Sequence, residues 1–525
     1  MKKEWKAKID GRGLDTAEII DAICEDRGIE DIAEFLNPTE DDFIELEQLH
    51  NIDKAFIVLD DVLTMNRKCL IYADVDCDGA TAGAIMYRYL KNFTNNVEIH
   101  INQGKKHGVK DYEINSELDL VIVVDSINNA CDYDKFLDAG AEVIVLDHHI
   151  PPDDVNKYNH ITLVSSAVDY PNPQLSGAGV VWKFCKYCDS QYLTDYADDL
   201  ADLAATGIIA DMCSLSVPEN RYICNYGLKN LKNLGIKKIN GTYNFDSQAV
   251  GFGIAPLINA CNRLNQNELA RDIFIDNDEE HVKETVKTMK SLKEQQNNIV
   301  DNLMSGLVKQ ADNQRDNKVM TFIIDVEEGI AGLIANKLMG IYQRPILVLK
   351  DCGDQYIGSA RGRGIEDFRQ VLIDCGAKAE GHELACGCFV PIDYLDTLRE
   401  KLETALANVE YKEERLVDIQ LDIEQINTQL IDNFKVLNFI SGEGFRPLTV
   451  LITGITDYEV GNMSKGKHLK IMTNDVAVIQ WNYVGGFEEF DGRSFSVIGG
   501  LNNGYFGKTF YNQVIVDDYK IGESV

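Results

Sequence analysis

The chain has 525 residues, 45% of them apolar, more than one hydrophobic core organises, so about three domains are expected. No run of about 18 uncharged apolar residues occurs, which argues against a membrane span. With 51 basic and 85 acidic side chains the net charge is −34; so acidic a surface repels polynucleotides, and any such partner has to be met by a locally basic groove or by bound cations.

The opening residues, MKKEWKAKIDGRG, carry charge without an apolar segment, so no secretory signal is expected and a cytoplasmic location follows. Residues 1–50 read as a small helical lead-in: TAEIIDAICEDRGI has helical apolar spacing, and EDIAEFLNPTEDD meets a proline. Within 51–278, short apolar strands alternate with amphipathic helices. KCLIYADV, DLVIVVDS and EVIVLDHH are rich in Ile and Val and end on acids, as strands of a parallel, helix-covered sheet do. Residues 279–312 hold no proline and a single glycine, with Val282, Val286, Met289 and Leu292 three or four apart; this is a long helix, either joining two domains or lying solvated on one. A second, smaller α/β unit is expected over 313–412, with strands VMTFIID and PILVLK around the helix GIAGLIANKLMGIY. Thirteen cysteines without regular spacing read as reduced thiols; the close pair Cys386 and Cys388 lacks CxxC spacing. Over 413–525, LTVLITGITDY, HLKIMT, VAVIQWNY and FSVIGGL are broken by Gly and Asn turns, which suggests a small all-β barrel or sandwich.

The stretch IYADVDCDGATAG places Asp74, Asp76 and Asp78 on alternate residues after an apolar run. Extended, the chain would put all three on one side, at the carboxyl end of a strand, where open α/β sheets bind ligands. They either cap the next helix or hold metal; capping by Asp78 accounts for one acid and leaves two. Asp125 ends LVIVVDS, and Asp147, His148 and His149 end VIVLDHH. Three strands finishing this way point to oxygen-rich sites with imidazole, suited to Mn2+ or Mg2+. So many carboxylates suit two ions about 3.5–4 Å apart, sharing a bridging aspartate and acting on a phosphoester. Asp211, in the apolar stretch DLAATGIIADMCSL, needs a partner if buried.

These motifs resemble the DHH phosphoesterase superfamily and, within it, the RecJ single-stranded DNA exonucleases. DVDCDGATAGA is similar to the first motif, VVDS to the second, LDHH to the third and ATGIIADMCSL to the fourth. GFGIAPLINACNRLN resembles the stretch between domains, GIAGLIANKLMGIYQRPILVL, GSARG and GHELACG the DHH-associated domain, and FKVLNFISGEGFRPLTVLI and LNNGYFGKTFYNQVIVDDY the oligonucleotide-binding (OB) barrel, across nearly the whole chain in the right order. The resemblance implies metal positions at Asp74, Asp76, Asp78, Asp125, His148 and Asp211, with Asp125 bridging, Asp147 orienting or supplementing the ligands and His149 facing substrate phosphate. It implies phosphate or DNA contacts at Ser359, Arg361, Arg363, His382, Asn259 and Arg263; on the barrel, Trp481, Tyr483, Tyr505 and Phe506 are either stacking platforms for the strand or barrel core. The implied activity is metal-dependent 5′ to 3′ exonuclease cleavage of single-stranded DNA, in repair and recombination. A monomer is expected, with a single-strand binding protein or helicase as candidate partner.

Departures lie in the grip on substrate. INQGKKHGV has Gly104 where an arginine that holds the 5′ phosphate is usual, leaving Lys105 and Lys106 as possible substitutes without a guanidinium fork. Leu257, Glu380 and Asn262 also replace usual residues. Two other readings stay open: a phosphodiesterase for short oligonucleotides or cyclic dinucleotides, which would leave the C-terminal barrel without a purpose, and a silent DNA-processing accessory, which would not need so complete a set of acids.

Overall fold

The computed structural model describes residues 4–104, 106–114, 117–152, 160–411, 414–463, 468–473, 475–481, 483, 490, 493–506 and 509–522. The lead-in, expected to be helical, begins with a strand, β1 (Glu4–Asp10), with Trp5 buried. EWKAKID alternates with a period of two, which suits a pleat and not a helix. Helix Thr16–Asp26 follows, started by a capping box between Asp15 and Glu18.

β2 (Cys69–Ala73), β3 (Val97–Ile101), β4 (Leu120–Val124), β5 (Glu142–Asp147) and β6 (Thr162–Ser165) form a parallel sheet in the order β3-β2-β4-β5-β6. β2 and β4 are buried at every position because both faces are covered. Ile71 and Ala73 face the helices Cys77–Leu90 and Gly177–Tyr192, while Leu70 and Tyr72 face a second cluster with Tyr133 and Phe136. From β2 the chain goes to β3 on one side and then to β4 on the other. The carboxyl ends of β2 and β4 therefore flank a topological switch point, where such sheets open a crevice.

Helix Gly177–Tyr192 is pinned from within. Lys183 and Glu219, 0% and 1% exposed, pair at 2.6 Å, and Glu219 also accepts from Tyr170 Oη and Asn172 Nδ2. Lys183→Met strands that carboxylate in the core, and removing one partner of a buried pair costs about 3–5 kcal/mol. The expected result is a clearly lowered denaturant midpoint for this unit, read by urea titration.

The 34-residue helix Glu279–Asp312 buries Val282, Val286 and Met289 in the first core and Val300, Met304, Leu307 and Ala311 in the next. That second core lies under β7 (Met320–Ile323) and β8 (Ile346–Asp351) of a sheet that continues with β9 (Gln355–Arg361), β10 (Lys378–His382) and β11 (Ala385–Pro391), ordered β10-β11-β9-β8-β7 with only β7 and β8 parallel.

The C-terminal region is mostly β: β12 (Glu414–Leu421), β13 (Val450–Ile455), β14 (Glu459–Met463), β15 (His468–Thr473), β16 (Val476–Gln480), β17 (Phe495–Phe506) and β18 (Thr509–Ile521). With β1 they make one eight-stranded mixed sheet, β1-β12-β13-β17-β18-β16-β15-β14. Helices Thr16–Asp26 and Thr428–Asn438 pack Ile19, Ile23, Leu430 and Phe434 against it. Six of these strands run β13-β17-β18-β16-β15-β14, from β13 to the strand that follows it in the chain; β12 and then β1 extend the β13 edge, and the β1–β12, β12–β13 and β16–β18 pairs are parallel. The extra edge comes from the far end of the chain, which local patterning over 413–525 does not contain. The region meets the first unit where Leu215 N donates to the Glu443 carbonyl and Arg221 Nη1 to that of Ile440. Among the described residues no helix is long and apolar enough to cross a membrane.

Candidate metal centre

β2 stops at Ala73, and the three following acids do not share one extended face. Asp76 is the N-cap of helix Cys77–Leu90 and accepts from Gly79 N at 3.0 Å. Asp78 lies in that helix's first turn and reaches across to another: its carboxylate accepts from Gly177 N at 2.7 Å and Ala178 N at 3.0 Å, the amino end of Gly177–Tyr192, where positive dipole charge gathers. Capping of the following helix thus falls to Asp76.

Asp125 follows β4 with φ +56°, a left-handed conformation that costs most residues about 1–2 kcal/mol and here turns a buried carboxylate inward. Two glycines make room. A Cβ at Gly177 would stand 2.5 Å from Asp125 Oδ1, and one at Gly207 would stand 2.2 Å from Asp78 Oδ1. Gly207→Ala is therefore expected to push Asp78 aside. The protein should stay folded by circular dichroism while Mn2+ affinity, read by isothermal titration, falls by about tenfold or more, as for other supports of metal ligands.

Asp147, fully buried, accepts from His148 N at 2.7 Å and from His149 Nδ1 at 2.8 Å. His148 Nε2 stands 3.2 Å from Asp125 Oδ1, 3.7 Å from Asp211 Oδ2 and 4.0 Å from Asp78 Oδ2; Asp211 caps the carboxyl end of helix Ala201–Ala210. Three overlapping sets each bring their ligand atoms within 4.8 Å of one another: Asp74, Asp76 and Asp125; Asp78, His148 and Asp211; and Asp125, Asp147, His148 and His149. Asp125 Oδ1 and His148 Nε2 are buried and have no hydrogen-bond partner among the described residues. Buried polar atoms ordinarily find one; a divalent cation between them would satisfy both, so the donor set fits such an ion.

Electrostatics agree. Burial, then the charge of Asp211, pushes the Asp78 carboxyl up to about 7. Burial, then Asp76, lifts Asp211 to about 6. Burial, then Asp78, drives Asp125 well above the usual carboxylate range. The hydrogen bond it donates to Asp147 holds His149 up at about 9. Without a cation the acids cannot all ionise at neutral pH.

One neighbour escaped the sequence reading. His107, in a loop noted only for its lysines, places Nδ1 3.0 and 2.9 Å from the two oxygens of Asp74. The only pointer to it in the sequence was an imidazole in the segment that follows β3.

Helix Ala255–Arg263 of the first unit and strands of the second carry other candidates. Asn262 Nδ2 bonds the Val75 carbonyl in the turn after β2. The adjacent Arg263 packs where a Cβ on Gly329 would touch it, and burial together with the charge of Arg361 lowers its guanidinium to about 10. Arg361 and Ser359, on β9, crowd Gly332: a Cβ there would lie 2.8 Å from Arg361 Nη2 and 3.4 Å from Ser359 Oγ. Asn259 shares helix Ala255–Arg263 with Arg263. His382 is exposed at the end of β10. Arg363 lines a different groove, about 530 Å³, with Gln343, Arg415 and Asp518, and no metal-centre residue lines it. Lys106 is exposed, and Lys105 lies outside the described residues. Gly104 is no place for a side chain: its N–H and carbonyl are both held by Asn267 at 2.9 Å, and a Cβ would stand 2.5 Å from Asn265 Oδ1. Tyr483 is 7% exposed in the C-terminal core, whereas Trp481 is 49% and Tyr505 73% exposed; the side chain of Phe506 lies outside the described residues.

Residues 68–208 match the DHH family, N-terminal domain. The chain is 29% identical over 452 residues, 78% of either chain, to a Bacillus subtilis (strain 168) protein named, provisionally, SPbeta prophage-derived single-strand DNA-specific exonuclease YorK. It is 25% identical over 457 residues to the single-stranded-DNA-specific exonuclease RecJ of the same organism, a match spanning 81% of this chain and 56% of that one. Among solved structures, RecJ in complex with Mn2+ from Thermus thermophilus superposes with a TM-score of 0.80 at 22% identity, over 98% of this chain and 79% of that one; at that identity the likeness is one of fold.

Proposed function

We propose that this RecJ-like chain, built around a DHH domain, is a metal-dependent exonuclease that hydrolyses terminal phosphodiesters of single-stranded DNA. One observation carries the reading: the ends of three adjacent parallel strands bring Asp74, Asp125 and Asp147–His148 together with Asp76, Asp78 and Asp211, and leave Asp125 Oδ1 and His148 Nε2 buried and unpartnered among the described residues. Two ions, Mn2+ or Mg2+, fit this set, one toward Asp74 and Asp76, the other toward Asp78, His148 and Asp211, with Asp125 between. Bound there, they supply Lewis-acid activation of water and neutralise charge on phosphoryl oxygens.

The protein's own groups do the rest. Asp147 fixes the His149 ring so that it faces the substrate phosphate. Arg361, Ser359 and Arg263 hold neighbouring phosphates, with the guanidinium fork well matched to that task. These cations also offset locally a net charge of −34. Cleavage runs 5′ to 3′ and releases mononucleotides, in a cytoplasmic monomer that a single-strand binding protein or helicase delivers to its substrate.

The test is incubation with Mn2+ and end-labelled long single strands, duplexes, dinucleotides and cyclic dinucleotides. Degradation of long single strands with stepwise release of mononucleotides is expected; turnover confined to the dinucleotides would replace this reading with that of a small-substrate phosphodiesterase. Because Gly104 offers no grip, removing the 5′ phosphate is expected to change the initial rate no more than a few-fold, and a large dependence would show that another group holds it.

A further inference from the structure

Two carboxylate–imidazole pairs flank the metal centre. In one, Asp147 holds His149 Nδ1. In the other, Asp74, itself 7% exposed, holds His107 Nδ1 through both oxygens. The two histidine side chains are 50% and 61% exposed. In each pair a buried acid at the end of a strand fixes one edge of a ring that stands at the mouth of the cluster. A ring fixed in this way is already oriented before substrate arrives.

The loop is built to deliver that ring. Gly104 is clamped by Asn267 on both its backbone groups. On the other side Gly108, at φ +77°, has its carbonyl bonded by Tyr72 Oη at 2.8 Å and Asn102 Nδ2 at 3.0 Å. His107 is thus suspended beside an anchored glycine, over the acid that belongs with Asp76 and Asp125 to one candidate ion set.

We propose that His107 is a catalytic residue whose ring contacts the reacting phosphate from the Asp74 side, as His149 does from the Asp147 side. The proposal rests on the phosphodiesterase chemistry assigned above and adds a second imidazole to it. Its ligand is the phosphoryl group the ions hold, not a terminal 5′ phosphate.

The experiment uses the full chain with Mn2+, in wild-type, His107→Ala and His107→Asn forms. Substrates are a single-stranded oligonucleotide and the p-nitrophenyl ester of thymidine 5′-monophosphate, whose one phosphate is the reacting one. Loss of a phosphoryl contact is expected to lower kcat about 100-fold on both substrates in His107→Ala, with His107→Asn recovering part of it. Mn2+ affinity by isothermal titration should stay within a few-fold, and affinity for thymidine 5′-monophosphate at saturating Mn2+ should fall about tenfold. Weakened Mn2+ binding with the rate restored at high Mn2+ would make His107 a mere support for Asp74 and overturn the proposal. So would unchanged rates, or a loss seen only with the oligonucleotide. A wild type that cleaves neither substrate defeats the exonuclease reading instead, and unaltered thymidine 5′-monophosphate binding in His107→Ala would then still exclude the contact.

Discussion

Replacing Asp125 with asparagine is expected to lower Mn2+-dependent hydrolysis of single-stranded DNA by about 10³-fold or more, the scale on which a site loses a principal electrostatic group. Asp125 belongs to two of the three candidate ligand sets, and one of its oxygens is buried, unpartnered among the described residues and 3.2 Å from His148 Nε2. Asparagine keeps the shape and tolerates the left-handed backbone at φ +56°, so the change removes charge and little else. The metal-free variant should melt no lower than the metal-free wild type, because the lost carboxylate was buried beside Asp78 and repelled by it. Loss of hydrolysis with an equal or higher Tm is the expected pair of results. Hydrolysis within tenfold of wild type would place the chemistry elsewhere.

The second large effect is on stability. In the metal-free protein Asp78 titrates near 7 and Asp211 near 6, against 3.8 for an ordinary aspartate. Between those values the native state binds more protons than the unfolded chain, so stability falls as pH rises. The full benefit is present below about pH 4 and is lost as pH climbs through 6 to 7. For Asp78 alone the displacement from 3.8 to about 7 corresponds to something on the order of 4 kcal/mol. Melting in EDTA is therefore expected to show a lower Tm at pH 8 than at pH 5. Mn2+ should reverse the order, since it binds the ionised carboxylates and stabilises the native state by mass action. A Tm in EDTA independent of pH between 5 and 8 would mean the acids are not packed as described.

The acids at the strand ends were legible because a buried parallel strand is a continuous apolar run, and the run ends where the sheet meets the crevice. Asp125 and Asp147–His148 could be placed on that ground alone. The turn after β2 could not: whether Asp76 or Asp78 caps the next helix depends on helix Gly177–Tyr192, about a hundred residues on, which supplies the amides that Asp78 takes instead. His107 was hidden for a similar reason. Nothing in GKKHGV says that the loop folds back over Asp74, since its anchor, Asn267, lies 163 residues away. The stacking candidates show the limit of composition: Tyr483 and Trp481 are two residues apart, yet one is core and the other surface.

The strand Glu4–Asp10 lies alongside Glu414–Leu421, pairing Glu4 with Glu414. During synthesis, at about 5–20 residues per second, Trp5, Ile19 and Ile23 leave the ribosome about 20–80 s before the strand and helix they pack on. The catalytic unit can close in that interval, so the nascent chain carries a finished nuclease core behind an unpaired, partly apolar leader. That leader stays unpaired until Glu414–Leu421 is made. It is a poor place for a bulky amino-terminal tag, which would hinder the last sheet from taking in its first strand.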